Sequence, residues 1–267
     1  FVSLFILSAF TLSGALLPLK SQRAEAQMTA QNVLRRNIEL PSDFTKIEES
    51  NGTVVLLPVN YQEGETYPAL ITLPFTGGHT SSYIRGDFAA QYKDRVVNPF
   101  IVILLDAHGS PDDYASNAAW TSTIARYETQ IRNNLNALGP KYNIDMSRLA
   151  VAGSSLGGDL SWAISLRNPD LFRGTIVMNS RSTWRDDSGL RRSAANESRF
   201  FMVGNEQDSK NRLPEVRAAV EELSQFGVTH YFEVLSSGEN YSNGPARTGR
   251  LMAAIDYALF TDYSGEA

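Results

Sequence analysis

Ser155 is the residue whose setting most clearly predicts chemistry. It lies in the stretch Gly-Ser-Ser-Leu-Gly-Gly at 153–158, after the apolar run Leu149–Ala152 and before a segment of helical composition. The pattern predicts a tight turn between a strand and a helix, with Ser155 at its tip, and the glycines let strand and helix pack closely. A serine presented in this way is a candidate nucleophile, and the backbone N–H of Leu156 would face a developing oxyanion.

Strands and helices alternate on both sides of this turn. Apolar runs at 68–75 and 98–109 are typical of strands buried on both faces of a parallel sheet, and a hairpin is predicted from 44–49 and 53–60. A helix is predicted at 121–138, ending before Gly139-Pro140. Further strands are expected at 149–153, 175–180, 200–205 and 230–236, and further helices at 156–166, 214–226 and 247–260. The alternation predicts an α/β fold with a mostly parallel central sheet, helices on both faces and an N-terminal antiparallel hairpin; working residues belong at the carboxyl ends of the strands.

The sequence resembles the esterase branch of the α/β-hydrolases over roughly residues 45–260 in the order of its elements, and its specific motifs lie around residues 149–180. That branch includes siderophore-type esterases, feruloyl esterases, S-formylglutathione hydrolases and mycolyltransferases. The resemblance rests on G-x-S-x-G-G at 153–158, on Pro169-Asp170-Leu171-Phe172 and on a strand that closes in Ser180. It implies an α/β-hydrolase fold and the hydrolysis of a small or polymeric carboxylic ester with Ser155 as nucleophile. The sequence has no metal-ligand spacing and no phosphate-binding loop, so no cofactor and no metal are expected.

The same resemblance implies partners for Ser155. Asp208, in the loop after the strand at 200–205, matches the carboxylate that orients the catalytic base. Gly77, in the loop after the strand at 68–75, corresponds to the second oxyanion donor beside Leu156. The family's histidine is expected just after the last strand, where this sequence has Glu239 within Ser-Gly-Glu-Asn-Tyr.

Glu239 would be a poor substitute for a histidine. An ordinary glutamate titrates near pH 4.3, although burial and the charge of Asp208 would both raise its pKa. Loss of one triad member leaves about 10³–10⁴-fold catalysis over water, supplied by the oxyanion hole and binding. The sequence therefore predicts weak hydrolysis or none.

The three histidines are the other candidate bases. His230 begins the last predicted strand, on the order of 25–30 Å from the strand's far end, which is the wrong end. His108 follows a strand that the fold separates from the nucleophile strand, and His79 lies in the oxyanion loop on the side opposite the usual base. For these two residues a surface or substrate-facing position is favoured over a role as base.

Aromatic and basic residues in the loops at the same edge are candidates for substrate binding. Trp120 and Trp184 would line a pocket for an aromatic or acyl group, together with His79 and His108. Arg181 and Arg185 would bind polar substrate groups or remain solvated loop charges. We expect these residues to surround Ser155.

Composition bounds the remaining possibilities. The chain has 267 residues and no cysteine, which excludes a disulfide framework. Its net charge of −5 argues against sequence-independent binding of nucleic acid. Residues 1–26 resemble a signal peptide that is truncated at its start, with Ala24-Glu25-Ala26 as the cleavage motif. Residues 27–43 would be a lead-in and 44–267 one α/β-hydrolase domain, secreted or periplasmic and without stable membrane insertion after cleavage. The alternative for the apolar run is a retained membrane anchor.

Two functions of different classes follow. The first is a secreted esterase acting through Ser155, impaired because its histidine is missing. The second is a non-catalytic protein that keeps the fold to bind a glycan, an acyl compound or a protein.

Overall fold

A mixed sheet of eight strands runs through residues 45–84, 86–236 and 250–260, the part of the chain that the computed structural model describes. The strands are β1 (Thr45–Glu48), β2 (Val54–Leu57), β3 (Tyr67–Leu73), β4 (Ile101–Leu104), β5 (Ile144–Ser154), β6 (Gly174–Met178), β7 (Arg199–Asn205) and β8 (Thr229–Leu235). Their order across the sheet is β1-β2-β4-β3-β5-β6-β7-β8. The pairs β1–β2 and β2–β4 are antiparallel, and all pairs from β4 to β8 are parallel. The α/β class and the N-terminal hairpin are therefore confirmed.

Helices cover both faces of this sheet. They are α1 (Gly86–Lys93), α2 (Asn117–Tyr142), α3 (Leu156–Arg167), α4 (Asp187–Ala195), α5 (Leu213–Gln225) and α6 (Arg250–Leu259). Strand β5 shows the arrangement, because Leu149 and Val151 pack with α2 and α3 while Ala150 and Ala152 pack with α1 and α6. A strand buried on both faces needs apolar residues at every position, which explains its continuous apolar run.

Helix α2 is longer than predicted. Its apolar face is the expected one, with Ile124, Tyr127, Ile131 and Leu135 all buried. However, the helix starts at Asn117 and passes through Pro140 to Tyr142, so the predicted end before Gly139-Pro140 is wrong. Pro140 removes a single backbone donor in the last turn. The helix stops where Asn143 adopts a left-handed conformation (φ 50°) and its N–H caps the Gly139 carbonyl.

The segments outside the described residues include several predicted features. These are the signal peptide at 1–26, the lead-in at 27–43, and Glu239. All described residues belong to the unit Leu40–Ala267, and the proposed domain boundaries remain a prediction. Within the described residues no helix is both long and apolar enough to span a membrane.

Candidate active site

Ser155 sits on a strained turn between β5 and α3. Its backbone has φ 56° and ψ −118°, a conformation that non-glycine residues rarely adopt, and its N–H donates to the Met178 carbonyl at 3.0 Å. The flanking glycines are required by contact: a Cβ on Gly153 would lie 2.2 Å from the Gly157 backbone, and one on Gly157 would lie 2.4 Å from the Leu73 carbonyl oxygen. The sequence therefore folds into the tight strand–turn–helix that the glycine spacing predicts.

The Ser155 hydroxyl is held by an arginine. Nη1 of Arg212 donates to Ser155 Oγ at 2.9 Å. The same guanidinium donates from Nε and Nη2 to the two carboxylate oxygens of Asp208, at 2.7 and 2.6 Å. The Arg212 and Asp208 side chains are only 8% and 3% exposed, so the pair is buried. Asp208, Arg212 and Ser155 thus form a chain in the order acid, cation, hydroxyl.

The arginine also determines the charge state of Asp208. Burial by itself would raise the pKa of this carboxyl, but the hydrogen bonds and positive charge of Arg212 outweigh burial and hold the pKa below its ordinary value. The carboxylate also accepts the backbone N–H of Arg212 at 2.9 Å. Asp208 is therefore ionised at neutral pH and engaged by a cation.

This arrangement does not supply a base to Ser155. A guanidinium has only donors and does not lose its proton in proteins. None of the three histidines, all of which lie in the described part of the chain, makes a hydrogen bond with Ser155 Oγ. In the described residues, the position between the acid and the serine is thus occupied by a group that cannot accept a proton.

The three histidines lie on three different segments, and one of them, His230, is remote from the carboxyl ends of the strands. His230 lies near the amino end of β8, where Nδ1 is 2.8 Å from the Val228 carbonyl oxygen. His79 and His108 face each other in a β-bridge between the loops that follow β3 and β4. Nδ1 of His79 accepts the Ser81 N–H at 3.2 Å, and burial is the main reason that its pKa is lowered. Their expected part in substrate binding remains a prediction.

The two predicted oxyanion donors differ in their surroundings. Leu156 is the first residue of α3, and an N–H in the first turn of a helix has no partner within the helix. Gly77 has φ 78°, but its N–H donates to the Gly109 carbonyl at 2.9 Å and so serves the bridge between the two loops. In this conformation the Gly77 N–H is directed to that carbonyl.

Trp120 and Trp184 line the same pocket, a cavity of about 210 Å³. Its other lining residues are Tyr114, Ser116, Asn117, Asp159, Arg181 and Thr183. Tyr114 and Trp120 stack with their ring centroids 5.1 Å apart. The pocket adjoins the serine turn, because the Asp159 N–H donates to the Ser155 carbonyl at 3.0 Å, one helical turn along α3.

Asp159 is a buried carboxylate that joins three segments of this pocket. One oxygen accepts the backbone N–H groups of Arg181 and Ser182, at 2.7 and 2.8 Å, and the other accepts the Tyr114 hydroxyl. Burial raises the pKa of Asp159, against the lowering effect of these hydrogen bonds. The carboxylate thereby fixes the α3 start, the turn that carries Tyr114 and the loop after β6.

Comparison with known proteins places this chain in a family. The family model described as Putative esterase matches residues 45–223. The chain belongs to this family. No curated protein gives a significant sequence match.

Solved structures of other esterases share the fold of this esterase-family chain. A ferulic acid esterase superposes with a TM-score of 0.58 at 16% identity, over 80% of this chain and 96% of that one. The S-formylglutathione hydrolase of Staphylococcus aureus gives 0.54 at 15% identity, over 79% and 95%. A thermostable esterase gives 0.58 at 18% identity, and the match spans 81% of this chain but only 62% of that one.

Sequence reasoning about this esterase-family protein missed Arg212 and Asp159. Asp208 and Arg212 lie in the turn before α5, where a spacing of four residues brings side chains together only through the conformation of the loop. Nothing in that spacing predicts the contact with Ser155, which is 57 residues away in sequence. Asp159 directly follows Gly158, the last glycine of the turn, and its burial depends on three segments that only the folded chain brings together.

Proposed function

We propose that this protein is a ligand-binding member of the esterase family that turns esters over slowly or not at all. The observation that supports the proposal is the 2.9 Å hydrogen bond from the Arg212 guanidinium to Ser155 Oγ, with the same guanidinium paired to Asp208. A catalytic serine must transfer its proton to a neighbouring base during attack. Here the neighbour is a cation that only donates.

Chemical consequences of this pairing favour binding over turnover. Arg212 binds both Asp208 and Ser155 Oγ, so it occupies the place that an imidazole bridging the acid and the serine would need. Any acceleration of ester hydrolysis over the uncatalysed reaction would come from the backbone donor of the turn and from the positioning of the ligand. In enzymes with an incomplete triad these two effects leave a rate about 10³–10⁴-fold above that in water. The ligand is expected to present a carbonyl or carboxylate near Ser155 and a ring in the neighbouring aromatic pocket.

The test is the hydrolysis of p-nitrophenyl acetate by the wild type, by Ser155→Ala and by Ser154→Ala. Ser154→Ala is the matched control, because it removes the hydroxyl of the neighbouring serine and leaves that of Ser155 in place. We expect all three rates to agree within a few-fold. A wild-type rate at least about 10³-fold above that of Ser155→Ala, with Ser154→Ala unchanged, would refute the proposal.

A second candidate is a slow serine esterase in which Glu239 acts as the base. The observation that favours it is the positive φ of Ser155, because a strained backbone costs about 1–3 kcal/mol and is usually retained for function. This candidate predicts rapid labelling of Ser155 by a fluorophosphonate, which the first proposal does not. Labelling lost in Glu239→Gln would identify the base.

Secretion is also a proposal. It is supported by the apolar segment and the cleavage motif in residues 1–26. Amino-terminal sequencing of the protein exported by its host tests it, with Gln27 as the expected first residue.

A further inference from the structure

The pocket beside Ser155 combines aromatic walls with a polar rim. Tyr114, Trp120 and Trp184 are half-buried, and its lining contains no aliphatic side chain. The rim consists of the exposed residues Ser116, Asn117, Arg181 and Thr183. A pocket for an alkyl or acyl chain is lined mainly by apolar groups, so this composition favours a ligand with flat apolar faces and polar edges.

The hydroxyl groups at the rim can still donate. Ser116 Oγ accepts the Ala119 N–H at 3.0 Å, which caps α2 and leaves the hydroxyl proton for another acceptor. Thr183 adds a second hydroxyl and Asn117 an amide. An aromatic ring edge would leave these groups without partners when it displaced their water, at a cost in free energy, whereas sugar hydroxyls satisfy them.

Arg181 adds a positive charge at the pocket mouth. Its guanidinium carbon lies 5.4 Å from the Tyr114 ring centroid. Among the described residues the guanidinium makes no ion pair and no side-chain hydrogen bond, whereas Arg185, four residues along, pairs with Glu222 at 2.8 Å. A guanidinium that is pre-oriented by stacking and retains its donors matches a carboxylate.

We propose that this pocket binds an acidic carbohydrate, a uronic-acid residue whose ring stacks on the aromatic walls and whose carboxylate pairs with Arg181. The inference deepens the proposed function, since it names the ligand class of a site that adjoins Ser155. The Asp159 carboxylate also lines the pocket, but its oxygens accept hydrogen bonds from Tyr114 and from the backbone of Arg181 and Ser182, so the carboxylate of the sugar is placed at the rim with the Arg181 guanidinium.

Intrinsic fluorescence of the full chain provides the test. The sequence has three tryptophans, of which Trp120 and Trp184 line the pocket and Trp162 is fully buried, donating from Nε1 to the Trp184 carbonyl at 2.9 Å. The probes are trigalacturonate and trimannuronate, with cellotriose and xylotriose as neutral sugars and benzoate as an aromatic acid. We expect saturable quenching by at least one uronate trimer, weaker binding of both neutral sugars and of benzoate, and weaker uronate binding at high salt.

Substitutions test whether Arg181 contacts the uronate directly or only adds positive charge to the surface. Arg181→Gln is expected to weaken uronate binding about tenfold or more, and Arg181→Lys to restore part of it. Arg191→Gln is the matched control, because that guanidinium also stacks on a ring, Phe226, at 4.9 Å, but lies outside the pocket lining. Trp120→Phe should reduce the quenching while the fold, checked by circular dichroism, is retained.

Three outcomes would overturn the inference. They are no saturable signal from either uronate trimer, equal binding of cellotriose, xylotriose or benzoate, and equal effects of Arg181→Gln and Arg191→Gln. Binding is measured without turnover, so these outcomes are independent of the p-nitrophenyl acetate test. Failure here leaves the slow-turnover proposal standing, and failure there leaves the carbohydrate site standing.

Discussion

Two buried carboxylates flank the serine turn, and they are held in opposite ways. Asp208 is paired with a cation, Arg212, through both of its oxygens. Asp159 accepts only from neutral groups, two backbone N–H groups and a tyrosine hydroxyl. Asp208 lies in a half-buried loop and Asp159 is deeply enclosed, and the pKa of Asp208 is lowered whereas that of Asp159 is raised.

The difference teaches that depth of burial and the charge of the partner together decide the pKa of each acid: a guanidinium outweighs the partial burial of Asp208, whereas neutral donors do not outweigh the deeper burial of Asp159. A full positive charge offsets desolvation, whereas neutral donors do so only in part. Asp208 is paired with the Arg212 guanidinium, which also donates to Ser155 Oγ. Asp159 joins the loops around the pocket, so the two acids have separate structural roles: Asp208 holds the arginine that binds the Ser155 hydroxyl, and Asp159 shapes the pocket.

The largest expected effect comes from removing the charge of Asp208. Asp208→Asn leaves the buried Arg212 guanidinium without this carboxylate, and breaking a buried pair in this way costs about 3–5 kcal/mol of unfolding free energy. Urea denaturation measures the loss. Asp145→Asn is the control, because Asp145 pairs with Arg148 at a partly exposed i,i+3 position, where the side chains are 21% and 42% exposed, and should lose about 0–1 kcal/mol. Similar losses of unfolding free energy in both variants would mean that burial does not make the Asp208–Arg212 pair more important for stability than the Asp145–Arg148 pair.

The pH dependence should have opposite signs for the two acids. The folded pKa of Asp208 lies below its unfolded value, so its contribution is present above about pH 4 and is lost as the pH falls through the folded pKa. The folded pKa of Asp159 is raised, so the folded state takes up a proton first and stability rises as the pH falls from the folded pKa toward about 4. The measurement is the unfolding free energy of the wild type minus that of each Asp→Asn variant between about pH 3 and 7. If these free-energy differences changed with pH in the same direction for both variants, the distinction between the two acids would be wrong.

A smaller effect is expected from Tyr114→Phe. This change removes one neutral donor from Asp159 and should cost about 1 kcal/mol. Tyr231→Phe is the control, because Tyr231 is half-buried against Phe201 and its hydroxyl takes part in no hydrogen bond among the described residues. Thermal unfolding of both variants checks the difference, and a loss in Tyr114→Phe no larger than in the control would show that the hydroxyl does not support the carboxylate.

Local patterns predicted the sheet and the turn well. The apolar runs of β3 and β5 and the glycines around Ser155 act over a few residues, so their effect is visible in the sequence. The continuation of α2 through Pro140 was not predicted, because one missing donor near a helix end is a small cost beside the packing of a long apolar face. The role of Arg212 was not predicted either, because its contact with Ser155 joins the turn after β5 to the loop after β7.

The bidentate bond between Arg212 and Asp208 has an evolutionary consequence. A histidine acquired anywhere near Ser155 would compete with the guanidinium for both the hydroxyl and the acid. Replacing Arg212 first would leave the buried Asp208 carboxylate without its cation, at a cost of about 3–5 kcal/mol against the roughly 5–15 kcal/mol that stabilises a typical native protein. A Ser–His–Asp triad at this position would therefore require two coupled substitutions, one that introduces the histidine and one that replaces Arg212.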